Sequence, residues 1–319
     1  MKWIKRGLLF NPVDHALANG CDAFAQSPQA LVFGDFVRIY FSTRKKDEKN
    51  GMYLSFISFV DFDSDLRRII NISKDTVIYL GELGSFDEHG IFPINVLRHN
   101  GQIYAYTCGW SRRKSVPVET SIGLAYSNDD GITFKKAGPG PILTSSLKEP
   151  VLVGDSFVKV YNNTFHMWYI FGQRWRSASE SEPPARIYKI AHAISGDGVN
   201  WKKEGRQIIA DVLNEDECQA LPTVTKIGDR YIMYFCFREA TNFRNNKQRG
   251  YRLGYAWSDD LINWTRDDEN AGIGLSETGW DSEMMCYPHI FEIDSKVYLL
   301  YNGNEFGKYG FGVAELEAI

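Results

Sequence analysis

Helical periodicity is nearly missing from this 319-residue sequence, and so is any long apolar run. No stretch approaches the roughly 18 apolar residues that a membrane-spanning helix needs. The opening "MKWIKRGLLFNP" is basic, but its apolar segment is too short and interrupted for a secretory signal. Cysteine is sparse: Cys21, Cys108, Cys218, Cys236 and Cys286 are odd in number, widely spaced and without a CxxC pair. That pattern argues against a disulfide framework and for reduced thiols, so a cytoplasmic protein is expected. Excess charge of one sign is absent too, at a formal −4, which gives no reason to expect a nucleic-acid or anionic-membrane partner. There is no Walker loop, no dinucleotide fingerprint and no close metal-ligand spacing. No cofactor and no metal are expected.

Aromatic residues, by contrast, are plentiful at 14%, with 8 Trp and 17 Tyr. Such residues favour sheets, and the chain is long enough to bury a large core unaided. A repeat organises them. "EDECQALPTVTKIGDRYIMYFCFR" (215–238) is matched by "FDEHGIFPINVLRHNGQIYAY" (86–106), "WDSEMMCYPHIFEIDSKVYLLY" (280–301) and "DAFAQSPQALVFGDFVRIYFSTR" (22–44). A fifth copy, "DSFVKVYNNTFHMWYIFGQR" (155–174), matches in pattern and carries Asp155 where the others carry proline. The markers Pro28, Pro93, Asp155, Pro222 and Pro288 are spaced by 65, 62, 67 and 66 residues. Each unit reads as a strand, a tight turn, an aromatic strand, a polar excursion and a third strand, with a short fourth strand in the middle units.

Antiparallel four-stranded units repeated in this way predict an all-β, five-bladed β-propeller. Residues 1–319 would form one propeller domain, with blades over about 22–80, 86–143, 149–209, 215–270 and 280–319. The last unit stops after its third strand, so the apolar segment 3–10 is expected to supply its outer strand and close the ring. In such a fold the first strand of each blade lines the channel, and residues just before the marker share one rim. Asp22, Asp87, Glu88, Glu149, Asp216, Glu217, Asp281 and Glu283 fall there. The second strands return to that rim at Arg44, Trp110, Arg174, Arg238 and Asn304. Long polar loops at 44–51, 110–120, 174–186 and 239–250 emerge on the same side, as loops that shape a binding site do. Each acid taken singly also suits a turn before a strand. "SNDDGITF" (127–134) and similar turns at 195–201 and 258–264 read as structural.

The segments "LGELGSFDEHGIFP" (80–93), "EDECQALP" (215–222), "SDDLINWTRDD" (258–268) and "GWDSEMMCYPH" (279–289) resemble the five-bladed propeller glycoside hydrolases of families 32, 43, 68 and 130. Within that group they are most similar to uncharacterised glycosidase-like proteins found with surface-polysaccharide genes. The architectural resemblance covers the whole chain. It implies an acid at the inner-strand start of the first blade as base or nucleophile, and a Glu from a later blade as proton donor. Asp22 matches the first role by position, without the "DPN"-like context of families 32 and 43. Glu217-Cys218 resembles the Glu-Cys pair of family 32 but falls in blade four rather than three, and Glu149-Pro150 in blade three is a rival donor.

Glycoside hydrolysis takes one protonated and one ionised carboxyl group, and crowded acids beside arginines push such pKa values apart. The expected catalytic set is therefore Asp22 as general base and Glu217 as general acid, with Asp87 tuning them. Arg44, Glu88, Trp110, Glu149, Arg174, Arg238, Glu283 and His289 are expected to bind substrate. Family 43 and 130 propellers invert, so the resemblance implies carboxyl groups about 6.5–9.5 Å apart. The arginines fit an anionic sugar or an attacking phosphate, or they neutralise the rim acids. The partner is then an oligosaccharide or glycoconjugate. Two alternatives stand beside the hydrolase: a glycoside phosphorylase that uses inorganic phosphate, and a non-catalytic glycan-binding propeller.

Overall fold

The computed structural model describes residues 1–177 and 183–317. The expected loop 174–186 therefore includes residues 178–182 outside the described ones, and the last expected blade likewise runs two residues past them. Strands dominate. β1 (Trp3–Phe10), β2 (Ala23–Val32), β3 (Phe36–Lys46), β4 (Tyr53–Asp63) and β5 (Ile69–Ile72) come first. Next are β6 (Gly90–His99), β7 (Gln102–Arg112), β8 (Val118–Ser127) and β9 (Lys135–Lys136). The third group is β10 (Val153–Tyr161), β11 (Thr164–Arg176), β12 (Ala185–Ser195) and β13 (Lys202–Lys203). The fourth is β14 (Cys218–Ile227), β15 (Arg230–Arg238), β16 (Arg252–Ser258) and β17 (Thr265–Arg266), and β18 (Cys286–Ile293), β19 (Lys296–Asn302) and β20 (Phe311–Leu316) complete the chain. No described helix is long and apolar enough to cross a membrane. All five cysteines are buried and unpaired.

Three sheets are four-stranded and antiparallel: β10 to β13, β14 to β17, and β18-β19-β20-β1. In the last of these the N-terminal segment 3–10 pairs with β20, from Trp3↔Leu316 to Phe10↔Phe311. The remaining strands make one larger sheet, in which β2 to β5 meet β6 to β9 through a single parallel bridge, Ser55↔Gly90. The first strands of successive groups touch one another, β2 with β6, β6 with β10, β10 with β14, β14 with β18 and β18 with β2.

Every one of these inner strands carries a two-residue bulge: 27–28, 92–93, 155–156, 221–222 and 287–288. A bulge leaves residues outside the ladder and re-aims their side chains. Proline is tolerated at the second bulge position because no ladder N–H is required there. This corrects the frame of the repeat by one residue: Ser156, not Asp155, stands level with the prolines. Asp155 is level with Ser27, Phe92, Leu221 and Tyr287. Ser27, Asp155, Leu221 and Tyr287 all have positive φ, between 49° and 58°.

Polar side chains tie the inner strands to one another and, through Asn302 of β19, reach the bulge of β2. Asn95 donates to Gln29 (3.0 Å) and accepts from the Val158 N–H (2.9 Å). Thr223 accepts from the Ile290 N–H (3.1 Å), and Asn302 accepts from the Ser27 N–H (2.7 Å). Farther out, the turns at Ser127–Asp129, Ser195–Asp197 and Ser258–Asp260 are closed by their own serine and aspartate side chains. Tyr40 donates to such a turn at Gly131 (2.7 Å) within the larger sheet, and Tyr106 donates from that sheet to the turn at Gly198 (3.0 Å) in the next. The structural reading of these motifs stands.

Candidate active site

The bulges of three inner strands and the ends of several second and third strands wall a cavity of ≈ 500 Å³. That volume suits a small oligosaccharide. Phe92, Asp155 and Tyr287 reach it from bulge positions, so the bulges aim side chains of β6, β10 and β18 at one point. Arg44, Trp110 and Arg238 come from the returning ends of β3, β7 and β15, and Arg186 and Tyr188 from the start of β12. Arg244 arrives on the 239–251 connection, Glu305 and Lys308 on the turn after β19.

Asp155 is the buried carboxyl group of this wall. Burial pushes its pKa up to about 7, with the positive Arg186 opposing the rise. At neutral pH it is therefore poised between acid and carboxylate, as a general acid needs to be. Glu305, the other carboxylate of the wall, is exposed and pairs with Lys308 at 3.0 Å.

Around Asp155 the charge is positive. Arg238 is buried, and its guanidinium donates to the Tyr188 hydroxyl (2.9 Å) and to the carbonyls of Glu239 and Ala240 (2.7 and 3.2 Å). Tyr188 in turn shares a hydrogen bond of 2.6 Å with Tyr251. Aromatic rings carry the arginines: Arg238 lies 3.6 Å from the centroid of Phe243, Arg244 4.5 Å from the same ring, and Arg44 4.9 Å from Phe24. Among the described residues no carboxylate comes within ion-pair distance of Arg44, Arg186, Arg238 or Arg244. Burial, then the like charge of neighbouring arginines, pulls the Arg44 and Arg244 guanidinium groups below their ordinary value. Arg44 and Arg238 each bury an Nε–H with no partner. Packing arginines together without counter-charge is unfavourable on its own, and the free guanidinium edges leave donors of the kind that carboxylates and phosphates accept from.

Three of the expected substrate-binding residues meet here: Arg44, Trp110 and Arg238. The expected catalytic carboxylates line other places. Asp22 is exposed, just before β2. Glu217 is fully buried and consumed by structure: it accepts from Arg266 (2.5 Å), the Val212 and Leu213 N–H groups (2.9 and 3.0 Å) and Gln219 (3.0 Å). Asp87 is buried against Lys136 at 2.5 Å. Glu149 is buried against Lys203 and Tyr169. Asp281 completes the series with Lys5 (2.7 Å) and Tyr301 (3.0 Å). In four sheets, then, the acid before the inner strand clasps a cation on the outermost strand of the same sheet: β9, β13, β17 or β1.

The remaining expected residues are elsewhere too. Glu88 accepts from the Gly84 N–H at 2.9 Å, Arg174 pairs with Asp216 at 2.5 Å, and Glu283 pairs with Lys247. His289 is buried beside Phe157, and burial, with Lys159 nearby, lowers its pKa to about 3, so it is neutral. The residues not anticipated are Asp155 as an acid, Arg186, Arg244 and the tyrosines. A signal for Asp155 existed: it interrupts the repeat, an acid at a bulge position that otherwise holds Ser, Phe, Leu or Tyr.

No protein-family model matches the chain. A Mycobacterium tuberculosis protein, "Uncharacterized protein Rv1502" of strain H37Rv, is 29% identical over 99% of this chain and 100% of its own length. A beta-1,2-mannobiose phosphorylase of a Thermoanaerobacter species is 28% identical over 107 residues, 32% of this chain and 33% of the enzyme. Among solved structures, one described as a glycoside hydrolase superposes with a TM-score of 0.74 at 18% identity, covering 99% of this chain and 92% of that one. Others with this fold include a family 43 and a family 32 glycoside hydrolase, a beta-1,2-mannobiose phosphorylase from Listeria innocua (TM-score 0.68, 12% identity), and a structure from work describing glycoside hydrolases within family 130. The fold is thus that of the propeller glycoside hydrolases and phosphorylases, as the sequence resemblance implied. Glycan-active enzymes are the class in which this chain finds its structural neighbours.

Proposed function

We propose that this chain is a five-bladed propeller enzyme that breaks a glycosidic bond by phosphorolysis at the cavity around Asp155. The ring of contacts among β2, β6, β10, β14 and β18 supports five blades about one axis, with β1 as the outer strand of the fifth and residues 1–319 as one unit. A single observation carries the chemistry: one buried carboxyl, poised near pH 7, faces four arginines that have no carboxylate partner among the described residues. A hydrolase needs a second carboxylate to activate water. A phosphorylase replaces it with hydrogen phosphate, which arginines bind in bidentate fashion. In this reading the phosphate oxygen attacks the anomeric carbon as the glycosidic C–O bond breaks. Asp155 gives its proton to the leaving oxygen and regains one from the phosphate. The partial match to a mannobiose phosphorylase agrees with it.

Glu305 supports a second reading, hydrolysis, because it puts another carboxylate in the wall. Turnover of β-1,2-mannobiose and of acidic disaccharides, with and without inorganic phosphate, separates the two. The expected product is a glycosyl phosphate, formed with phosphate present, and Asp155→Asn lowers kcat/KM by about 10²–10⁴-fold. Release of free sugar at an equal rate without phosphate would establish hydrolysis. Turnover indifferent to Asp155→Asn would sink the site itself.

A further inference from the structure

The cavity holds more positive charge than one phosphate can answer, and it holds it in two places. Arg44 sits near the end of β3 among Phe24, Tyr53 and Phe92, with ring centroids at 4.9, 5.9 and 6.0 Å. Arg238 sits at the end of β15 among Phe243, Tyr188 and Tyr251, at 3.6, 5.4 and 5.3 Å. Each presents a buried Nε–H without a partner. That edge of a guanidinium is the one an oxyanion grips in bidentate fashion. The two cages share no ring and come from different sheets, so one oxyanion does not account for both.

The surroundings assign the two positions. The Arg238 guanidinium donates to the Tyr188 hydroxyl at 2.9 Å, Tyr188 stands two residues from Arg186 on β12, and Arg186 is the cation that acts on Asp155, so we assign the Arg238 side as the reacting side. Arg44 is caged by the rings of Phe24, Tyr53 and Phe92, none of which the Arg238 cage uses. Hydrogen phosphate carries at most two negative charges, whereas Arg44, Arg186, Arg238 and Arg244 all lack a carboxylate among the described residues. The Lys308–Glu305 pair adds no net charge.

We propose that the substrate is an acidic saccharide, whose own carboxylate or phosphoryl group docks on Arg44 while inorganic phosphate docks on Arg238 and Arg186. This deepens the phosphorolysis reading and rests on it for the second anion. A neighbouring cavity of ≈ 550 Å³ shares Arg186, Arg238, Phe243 and Arg244 with the first and adds Trp175, which gives a longer glycan room to continue.

The test measures binding, so that it stands apart from turnover. The full chain is titrated calorimetrically with inorganic phosphate, a glucuronate-containing disaccharide, mannose 6-phosphate and neutral β-1,2-mannobiose. At least one acidic saccharide is expected to bind about tenfold or more tightly than the neutral one, the margin a charge-assisted bidentate contact provides. Which of the two does so identifies the acid as carboxylate or phosphoryl. Saturating inorganic phosphate is expected to leave that margin in place, because the sites are separate. Arg44→Gln should remove the margin and keep phosphate binding, and Arg44→Lys, which preserves charge and fold but not the fork, should keep part of it. Equal affinity for neutral and acidic saccharides would overturn the proposal. So would loss of acidic-sugar binding when phosphate is saturating, or loss of phosphate binding in Arg44→Gln. Absent turnover with this binding pattern intact would count against phosphorolysis and leave the acidic-substrate inference standing.

Discussion

Asp155 couples function to stability through one proton. Its pKa is pushed up to about 7 by burial, from an ordinary 3.8, so the folded state keeps a proton that the unfolded chain releases. Stability contributed by this group therefore falls as pH rises from about 4 to about 7 and levels off above, because the folded state binds more protons over that window. Asp155→Asn removes the titration and accepts the same positive φ of 50° that the site requires, since Asn tolerates the left-handed region. At pH 8 the variant is expected to be more stable than the parent by roughly 1–3 kcal/mol, given about 1.4 kcal/mol for each pKa unit. Denaturant midpoints at pH 5 and pH 8 measure this, and the gain should shrink at the lower pH. An acid that must donate a proton also predicts that kcat/KM falls as pH rises above about 7 and that Asp155→Asn loses this limb. A variant that is neither more stable at pH 8 nor less active would show Asp155 to be an ordinary turn residue.

At the scale of strands, the repeat explains why the sequence disclosed the fold so readily and the site only in part. Strand alternation, turn residues and the spacing of the prolines are local signals repeated in every unit, and they yield the antiparallel strands expected, although β2 to β9 join in one larger sheet and the third unit is shifted by one residue. The clasps repeat as well: Asp87–Lys136, Glu149–Lys203, Glu217–Arg266 and Asp281–Lys5 hold the entry of an inner strand to the outermost strand of its sheet. From sequence, acids at a fixed offset look alike whether they face a channel or a lysine, since the partner lies tens of residues away. Arg44, Trp110 and Arg238 were legible because strand ends fix position. Arg186, at the start of β12, stands at a strand boundary that the sequence did not mark, and Arg244 depended on how its loop folds back, which periodicity does not report. The clasp is testable through Glu217 and Arg266, whose side chains are 0% and 4% exposed. Arg266→Met strands a buried carboxylate and should cost about 3–5 kcal/mol, while Glu217→Met with Arg266→Met should recover much of that. Chemical denaturation of the single and double variants decides it. Recovery of stability with complete loss of turnover would instead return Glu217 to catalysis.

For the molecule as a whole, strands from all four sheets line a cavity that gathers four arginines and one buried carboxyl group. Neighbouring sheets touch through their first strands, and Arg44, Arg186, Arg238 and Arg244 come from three of those sheets, so repulsion among them is borne by several sheets rather than by one. A ligand that binds the folded state alone raises stability by mass action, by about 2.7 kcal/mol at a hundred times its dissociation constant. Inorganic phosphate should therefore raise the unfolding midpoint well beyond what sodium chloride does at equal ionic strength, because screening acts weakly on buried charges. Phosphate also stabilises proteins generally, by exclusion from their surface. Arg238→Gln separates the two effects: the general increment survives in the variant and the specific one is lost. Equal phosphate-induced shifts in both proteins, measured by thermal unfolding over a concentration series, would mean that the arginine-lined cavity holds no phosphate. The cost of keeping four guanidinium groups together would then have to be met by the acidic saccharide alone.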